Sequence, residues 1–538
     1  NLRTGRSNSI RPSGPQAQGQ RGNPQPPEAQ GQRGAQPPEA ADPEQAQALA
    51  AQFGGGRGNP NGNVVPTPPA GTNFRFYWNT PFALSPHNPA TIFLGGDRLF
   101  RSYNRGDTWL ASPDLTSNVG RNDRPIMGVD GKAPMASKHD GAASYSNIVT
   151  ISESYVLPGV LWIGTNDGNV QVSRDGGATW KNVVDKVPGV PKETHVSRVE
   201  TSHFDAGTAY VTFDGHRTDD HKAYVFMTKD FGETWTSLTG DLPAANVNVI
   251  REDPKNRNLL YLGNEYGFYI SLDGGKAWKR FMNGLPTVRI DDILIHPRDN
   301  DLILGTHGRS IWIIDDISAL QQMTPAVQTA DATLFDVRPA TAYATDVQKS
   351  ILVEGAKVFR GQNPARGSAI SYWLKSAPAG DVKISIADVT GREIRTIQGT
   401  KNAGLNRVQW DLAPTGAAGR GRGAGGADAG GGRGAANAPA AAAPPGAGAP
   451  PGAPAPATAP PGAPATITPA AGTTAGGGAP TQFPVPAAAA QGRQGGGGGR
   501  GGFAQPVPPG TYLVKLMVGD KVVGQKTVVV EADTTFMQ

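Results

Sequence analysis

The sequence predicts an all-β chain: about five blades of an incomplete β-propeller, then a small β-sandwich, with long low-complexity segments outside both. Three observations carry this reading. An eight-residue phrase recurs four times, as Ser102-Tyr-Asn-Arg-Gly-Asp-Thr-Trp109, Ser173-Arg-Asp-Gly-Gly-Ala-Thr-Trp180, Thr228-Lys-Asp-Phe-Gly-Glu-Thr-Trp235 and Ser271-Leu-Asp-Gly-Gly-Lys-Ala-Trp278. Each copy follows an apolar β-type run and precedes another short strand, the signature of an array of hairpin units. The composition, with 72 Gly and 47 Pro in 538 residues, leaves long tracts that cannot build a core.

The phrase reads Ser/Thr-x-Asp-x-Gly-x-x-Trp, with Asn104 replacing the aspartate in the first copy and Asp175, Asp230 and Asp273 filling it in the others. Its aspartate accepts hydrogen bonds from backbone N–H groups of its own turn. The glycine supplies a backbone angle that other residues resist. Trp109, Trp180, Trp235 and Trp278 each bury a large ring between neighbouring units, with an N–H that can reach a carbonyl. All three roles are structural, so the repeated aspartates are read as turn-formers rather than catalysts.

Residues 73–325 hold five related units. Their second strands read Thr91-Ile-Phe-Leu-Gly95, Leu161-Trp-Ile-Gly164, Ala209-Tyr-Val-Thr-Phe213, Leu259-Leu-Tyr-Leu-Gly263 and Leu302-Ile-Leu-Gly305. Four short strands in a unit of about 40–50 residues describe a propeller blade. The fifth unit ends in Ile311-Trp-Ile-Ile-Asp-Asp316 and lacks the phrase. An unclosed ring would leave strand edges and apolar blade faces exposed, so the remaining blades are expected from an upstream segment or another chain, with an oligomer as one outcome.

Residues 326–412 and 507–533 carry a second set of strands, among them Ala369–Leu374, Val382–Ile386, Glu393–Ile397, Asn406–Trp410, Thr511–Leu516 and Lys526–Val530. Their alternation suggests a β-sandwich. Residues 1–72, rich in Gln, Pro and Gly, read as a disordered linker, and the Gly/Ala/Pro tract 413–506 as a flexible insertion in one sandwich loop. Gly419-Arg-Gly-Arg-Gly423 and Gly499-Arg-Gly-Gly502 are the kind of segment that can bind single-stranded RNA, but aromatic partners are almost absent, so a soluble spacer is the preferred reading.

Composition excludes several classes. Net charge is +5 with a pI near 9.2, small for this length and no argument for a nucleic-acid groove. Cysteine is absent, which removes disulfides, thiolate nucleophiles and Cys-ligated zinc. No apolar run is long enough to span a membrane. No metal site and no cofactor are expected. Residue 1 reads as the product of processing or the start of a fragment.

The repeated phrase is the Asp-box of BNR-type repeats, as found in sialidases, sortilin-type receptors and two-propeller xyloglucanases. Residues 73–325 resemble exported bacterial BNR-repeat, sortilin-like "glycosyl hydrolase" proteins through Phe76-Tyr-Trp-Asn-Thr-Pro81, Phe213-Asp-Gly-His-Arg-Thr-Asp-Asp220 and Gly305-Thr-His-Gly-Arg-Ser-Ile-Trp312. Asn1-Leu-Arg-Thr-Gly-Arg-Ser-Asn-Ser-Ile-Arg-Pro12 resembles a mid-chain segment of that family. Gly404–Asp411 and Pro509-Gly-Thr-Tyr512 look like the FlgD-type or fibronectin-type Ig-like domains that end such proteins. The resemblance covers about half the chain. It implies a secreted, periplasmic or cell-surface location and further blades upstream.

In a four-stranded meander the repeated phrase joins the third and fourth strands, so the second-to-third turns lie on the opposite face. Those turns carry Gly96-Asp-Arg98, Asn166-Asp167, Asp214-Gly-His-Arg-Thr-Asp-Asp-His221, Asn264-Glu265 and His307-Gly-Arg309. The longest offers three carboxylates and two imidazoles. Glycosidases need two carboxylates about 5–10 Å apart; Asp214, Asp219 or Asp220 with Glu265 or Asp291 are the candidates. His216, Arg217, His221, His195, Arg198, Arg251, Arg289, His307 and Arg309 complete the candidate ligand-binding face. Solvated turns and a structural ion-pair network around the channel are the competing explanations. The connection 110–147, with Arg121-Asn-Asp-Arg124 and Lys138-His-Asp140, should cross the same face as a lid or partner loop.

Two functions follow. The preferred one is a non-catalytic exported propeller that binds a protein or glycan, or assembles with other subunits. The alternative is a glycoside hydrolase with a carboxylate pair on the face opposite the repeated phrases. A filled channel mouth with paired charges favours the first; an open carboxylate pair beside exposed Trp or Tyr favours the second.

Overall fold

The structure, a computed structural model, describes residues 74–135, 144–343, 364–415 and 506–534. Segment 1–72, the Arg-Gly phrases at 419–423 and 499–502, and Lys138-His-Asp140 lie outside the described residues.

Four sheets repeat one meander. Blade I is β1 (Phe82–Leu84), β2 (Ile92–Gly95), β3 (Leu99–Ser102) and β4 (Leu110–Ala111). Blade II is β5 (Ile148–Glu153), β6 (Leu161–Thr165), β7 (Val170–Ser173) and β8 (Lys181–Asn182). Blade III is β9 (His195–Thr201), β10 (Ala209–Gly215), β11 (Asp220–Thr228) and β12 (Thr236–Ser237). Blade IV is β13 (Val247–Glu252), β14 (Leu260–Asn264), β15 (Gly267–Ser271) and β16 (Lys279–Arg280). Blade V has three strands, β17 (Ile290–Ile295), β18 (Leu302–Thr306) and β19 (Ile311–Ile314). Every strand in these sheets pairs antiparallel with its sequence neighbour.

Apolar layers join blade to blade. Phe93, Leu99, Ile148 and Ile163 fill the space between blades I and II; Trp162, Val172, Val199 and Phe213 that between II and III. Tyr210, Val225, Ile250 and Leu262 join III to IV, and Tyr261, Phe268, Ile293 and Leu304 join IV to V. Buried side chains of the Leu/Ile/Phe class each contribute about 1.5–3 kcal/mol, so these layers, not the ladders, set the order of the blades.

The repeated turn has one geometry in all four copies. The Ser or Thr hydroxyl bonds the carboxylate or amide two residues on, at 2.8–2.9 Å, and accepts the N–H four residues on. Oδ1 of Asn104, Asp175, Asp230 and Asp273 accepts the backbone N–H of the residue four positions later at 2.9–3.0 Å. Gly106, Gly177, Gly232 and Gly275 sit at φ +93°, +85°, +86° and +88°, the left-handed region that selects glycine. Trp109 and Trp278 are buried, and Trp180 and Trp235 pack half-buried against neighbouring layers. Trp180 donates its N–H to the Gly177 carbonyl and Trp278 to that of Leu238, but the buried Nε1 of Trp109 and Trp235 has no partner among the described residues, unlike the sequence expectation.

After blade V come α1 (Ser318–Gln321) and α2 (Pro325–Thr329), two short helices the periodicity did not announce. A three-stranded sheet, β20 (Ala332–Leu334), β22 (Ser368–Leu374) and β25 (Gly404–Trp410), faces a five-stranded one. The second contains β21 (Ala340–Ala342), β23 (Val382–Ala387), β24 (Glu393–Gln398), β26 (Gly510–Val518) and β27 (Lys521–Ala532), in the order β21-β27-β26-β23-β24. Ile370, Tyr372, Trp410, Ile384, Val514 and Val528 make the core between them. β20 and β21 were not anticipated, being three residues each of Ala, Thr and Leu without an alternating pattern; β21 runs parallel to β27. Phe335, Trp373 and Leu405 pack on the blade IV–V layer, and Arg338 pairs with Asp301 at 3.1 Å, which anchors the sandwich to blade V.

Candidate functional site

The first strand of each blade borders a central cavity of about 1010 Å³. In blades II to V the first and second strands slip register near their channel ends. Each slip leaves one residue of the inner strand without an opposite partner: Val149, Ser197, Asn248 and Asp291. Such a bulge re-aims a side chain, and all four line the cavity. They form a row around the cavity, one residue from each of blades II to V, of different chemistry at each step. Asn248 is 5% exposed, and neither its amide oxygen nor its amide nitrogen has a hydrogen-bond partner among the described residues.

Charged groups around this row are paired. Arg198 Nη2 lies 2.8 Å from Asp292 Oδ1, and Arg251 Nη2 lies 3.1 Å from the same oxygen. Arg251 also pairs with Glu200 and donates its Nε–H to the Ile293 carbonyl at 2.8 Å. Asp291 is held by Arg289 at 2.6 Å and faces His307 at 3.3 Å. Glu252 accepts from the Ser202 hydroxyl, the His203 N–H and the Tyr210 hydroxyl. Glu153 accepts the Gly159 N–H at 3.0 Å. Asp214 accepts both the His216 backbone N–H at 3.0 Å and its ring Nδ1–H at 2.7 Å.

Every carboxylate lining the cavity therefore has a donor. Burial pushes Asp214 up, but the His216 hydrogen bonds and the adjacent imidazoles outweigh it and hold the carboxyl at about 2. Burial likewise raises Asp292, and Arg198 and Arg251 reverse it to a net lowering. His195 is driven the other way: burial and the neighbouring Arg217 lower it to about 3, so the ring is neutral at pH 7. Tyr155 is pushed up to about 12 by Glu200 and by burial, and its ring stacks on His203 at 3.8 Å.

The sequence-predicted residues divide. Asp214, Asp291, His195, Arg198, Arg251, Arg289 and His307 line the cavity. Asp219, Asp220 and Glu265 are not among its lining residues, so of the proposed carboxylate pairs only Asp214 with Asp291 shares it. The reason is local: a short 3-10 turn at His216–Thr218 and a left-handed Asp219 carry the chain away onto β11. There Asp220 accepts from the Tyr224 hydroxyl at 2.7 Å, and Asp219 faces His221 Nε2 at 3.3 Å. Glu265 accepts from Asn246, which also contacts His221. Arg217 reaches from blade III to the Tyr77 hydroxyl at 3.3 Å, and the Arg309 carbonyl accepts from Trp312. Arg124, in the long connection after blade I, pairs with Glu193 just before blade III.

Sequence reasoning missed Asn248, Ser197 and Trp78. Trp78, 74% exposed, stands in the segment before β1, with Phe82 and Leu84 beside it on the cavity wall. The available signal was a small polar residue interrupting an aliphatic inner strand, as in Val247-Asn-Val-Ile250.

Together these features define an all-β chain with propeller-type blades and a following sandwich. No family model matches the chain, and no curated protein does. Solved structures similar to it include a GH74 xyloglucanase from Xanthomonas campestris, at 17% identity and TM-score 0.34, covering 44% of this chain and 36% of that one. A GH74 enzyme from Niastella koreensis is 17% identical with TM-score 0.33, over 55% of this chain and 47% of its own. YCF48 bound to D1 peptide is 12% identical with TM-score 0.20, over 45% of this chain and 98% of its own. The chain spans less than half of each GH74 structure. Among the described residues no helix is long and apolar enough to cross a membrane.

Proposed function

We propose that this is an exported, BNR-type binding propeller whose central cavity takes a glycan. The observation that carries the reading is the row of bulge residues, Val149, Ser197, Asn248 and Asp291, set in a wall whose carboxylates are already engaged. A general acid for glycoside hydrolysis needs a carboxyl raised toward neutral pH; Asp214 and Asp292 are shifted down instead. The cavity has two chemical sides. Trp78, Phe82 and Leu84 offer apolar surface for the C–H face of a sugar ring, and the opposite strands offer fixed polar groups for its hydroxyls. The Asn248 amide carries an unpaired donor and acceptor, and leaving such a group unpaired costs about 1–3 kcal/mol; both atoms are buried, so a ligand hydroxyl pair relieves them once that side chain turns toward the cavity.

The test is a glycan array probed with the full chain, followed by titration of the best binder. Trp78→Ala and Asn248→Leu should each weaken binding by about tenfold or more while the thermal midpoint stays within a few degrees. Binding unaffected by both variants would remove the cavity from the reading. A second reading, hydrolysis, is favoured by one fact, that Asp214 and Asp291 share the cavity. Release of reducing ends that Asp214→Asn and Asp291→Asn both abolish would establish it in place of binding alone.

A further inference from the structure

The free faces of blades I and V show what belongs between them. At the three junctions I–II, II–III and IV–V, one contact repeats. A glycine near the end of the second strand accepts the β-branched residue that opens the next blade's inner strand. A Cβ on Gly95 would lie 2.9 Å from Ile148 Cγ2, and one on Gly263 would lie 2.8 Å from Ile290 Cγ2. One on Gly164 would meet Val196 closer still. Gly305 holds the same place in blade V, but the nearest atoms to its Cβ position are at 3.7 Å and belong to Asp292 of its own sheet. The seat is built, and among the described residues nothing fills it.

The face around that seat is apolar in register. Leu294 stands opposite Ile303, and Ile303 opposite Ile313. Leu294 is 57%, Ile313 57% and Ile311 68% exposed, whereas the other face of the same strands is buried against blade IV. On blade I, Phe74 and Phe76 cover the outer part by packing on Phe100, but Phe82 and Leu84 remain 52% and 57% exposed. Apolar surface of this kind, continuous with three filled junctions of one pattern, marks an interface.

We infer that the space between blades V and I seats further four-stranded blades, and that the one beside blade V opens its inner strand with Val or Ile to fill the Gly305 seat. Propellers close with about 4–8 blades, so five leave room for about one to three. A second copy of this chain is a poorer occupant. Its blade I would bring Thr80-Pro81 to the seat, and β1 carries neither Val nor Ile.

The chain has no cysteine, so Ile313→Cys is a unique reporter of this face. Full-length protein with this substitution is compared with versions carrying one, two or three repeats of residues 144–194 inserted before residue 74. A second series repeats residues 245–288, guarding against an inserted unit that does not fold. We expect maleimide labelling to slow at least tenfold in one member of a series, and Gly305→Phe to restore the fast rate in that member. Unchanged labelling throughout both series overturns the inference. So does slow labelling of the uninserted protein with a sedimentation dimer that Ile311→Glu dissociates, since the second copy would then be the occupant.

Discussion

Asn104 replaces aspartate in one copy of the repeated turn without changing it: its Oδ1 still accepts the Thr108 N–H at 2.9 Å, as Asp230 accepts that of Thr234. The turn therefore needs an acceptor at this position rather than a charge. Asp230→Asn, which keeps the acceptor and loses the charge, should cost less than Asp230→Ala, which should cost about 1 kcal/mol by removing that acceptor, measured by denaturant titration. The Thr234 side-chain and backbone hydrogen bonds also hold the Asp230 carboxyl down at about 2. A carboxyl depressed on folding adds stability above its unfolded value near 3.8 that is lost as pH falls toward 2. His195 acts over a different window. Its folded value of about 3 lies below 6.5, so the unfolded chain takes up the proton first, and stability is complete above pH 6.5 and drains away between 6.5 and 3. Unfolding of His195→Gln should show a flatter dependence over pH 6.5–4 than the parent; an identical slope would mean that this ring does not govern the acid limb.

At the scale of the blade, the second-strand glycines separate filled from empty junctions. Gly164→Ala should destabilise by about 1–3 kcal/mol, since the added methyl meets Val196 and neither strand can retreat. Gly305→Ala in the same chain should be neutral or slightly stabilising, because nothing but its own sheet lies near and alanine loses less backbone freedom. Thermal unfolding of the pair checks this, and equal losses would contradict an empty seat. The blades themselves were legible: strand phrases and repeated turns appear where apolar runs and Gly-Asp punctuation put them, and the fifth unit, which lacks the phrase, also lacks the fourth strand among the described residues. The polar second-to-third turns were legible as a group. Which of their side chains reach the channel was not, because the answer depends on the bulges at Val149, Ser197, Asn248 and Asp291 and on the 3-10 turn after Asp214. A one-residue slip leaves no mark on hydrophobic alternation when the residues around it are buried on both faces.

The described residues form an arc of five blades with a sandwich fixed to the last, and the two end blades present exposed apolar side chains beside one cavity. Closing the ring and binding in the cavity are linked, since Phe82 and Leu84 belong to both the free face of blade I and the cavity wall. The sandwich strands β22–β27 were readable as apolar or β-branched runs, most clearly in β22, where Ser368, Ile370, Tyr372 and Leu374 are buried in strict alternation. β20 and β21 were not, since three-residue strands of small residues pair only because longer neighbours offer them an edge. By itself, then, the sequence determined the all-β class, the repeated turn and the five units present, because hydrogen bonds and periodicities within some ten residues decide these. The cavity-lining bulge residues, Asp291 among them, the pairing of Asp292 with Arg198 and Arg251, and the empty seat at Gly305 were decided by tertiary structure alone, because each joins residues from separate blades or depends on a register that only packing selects.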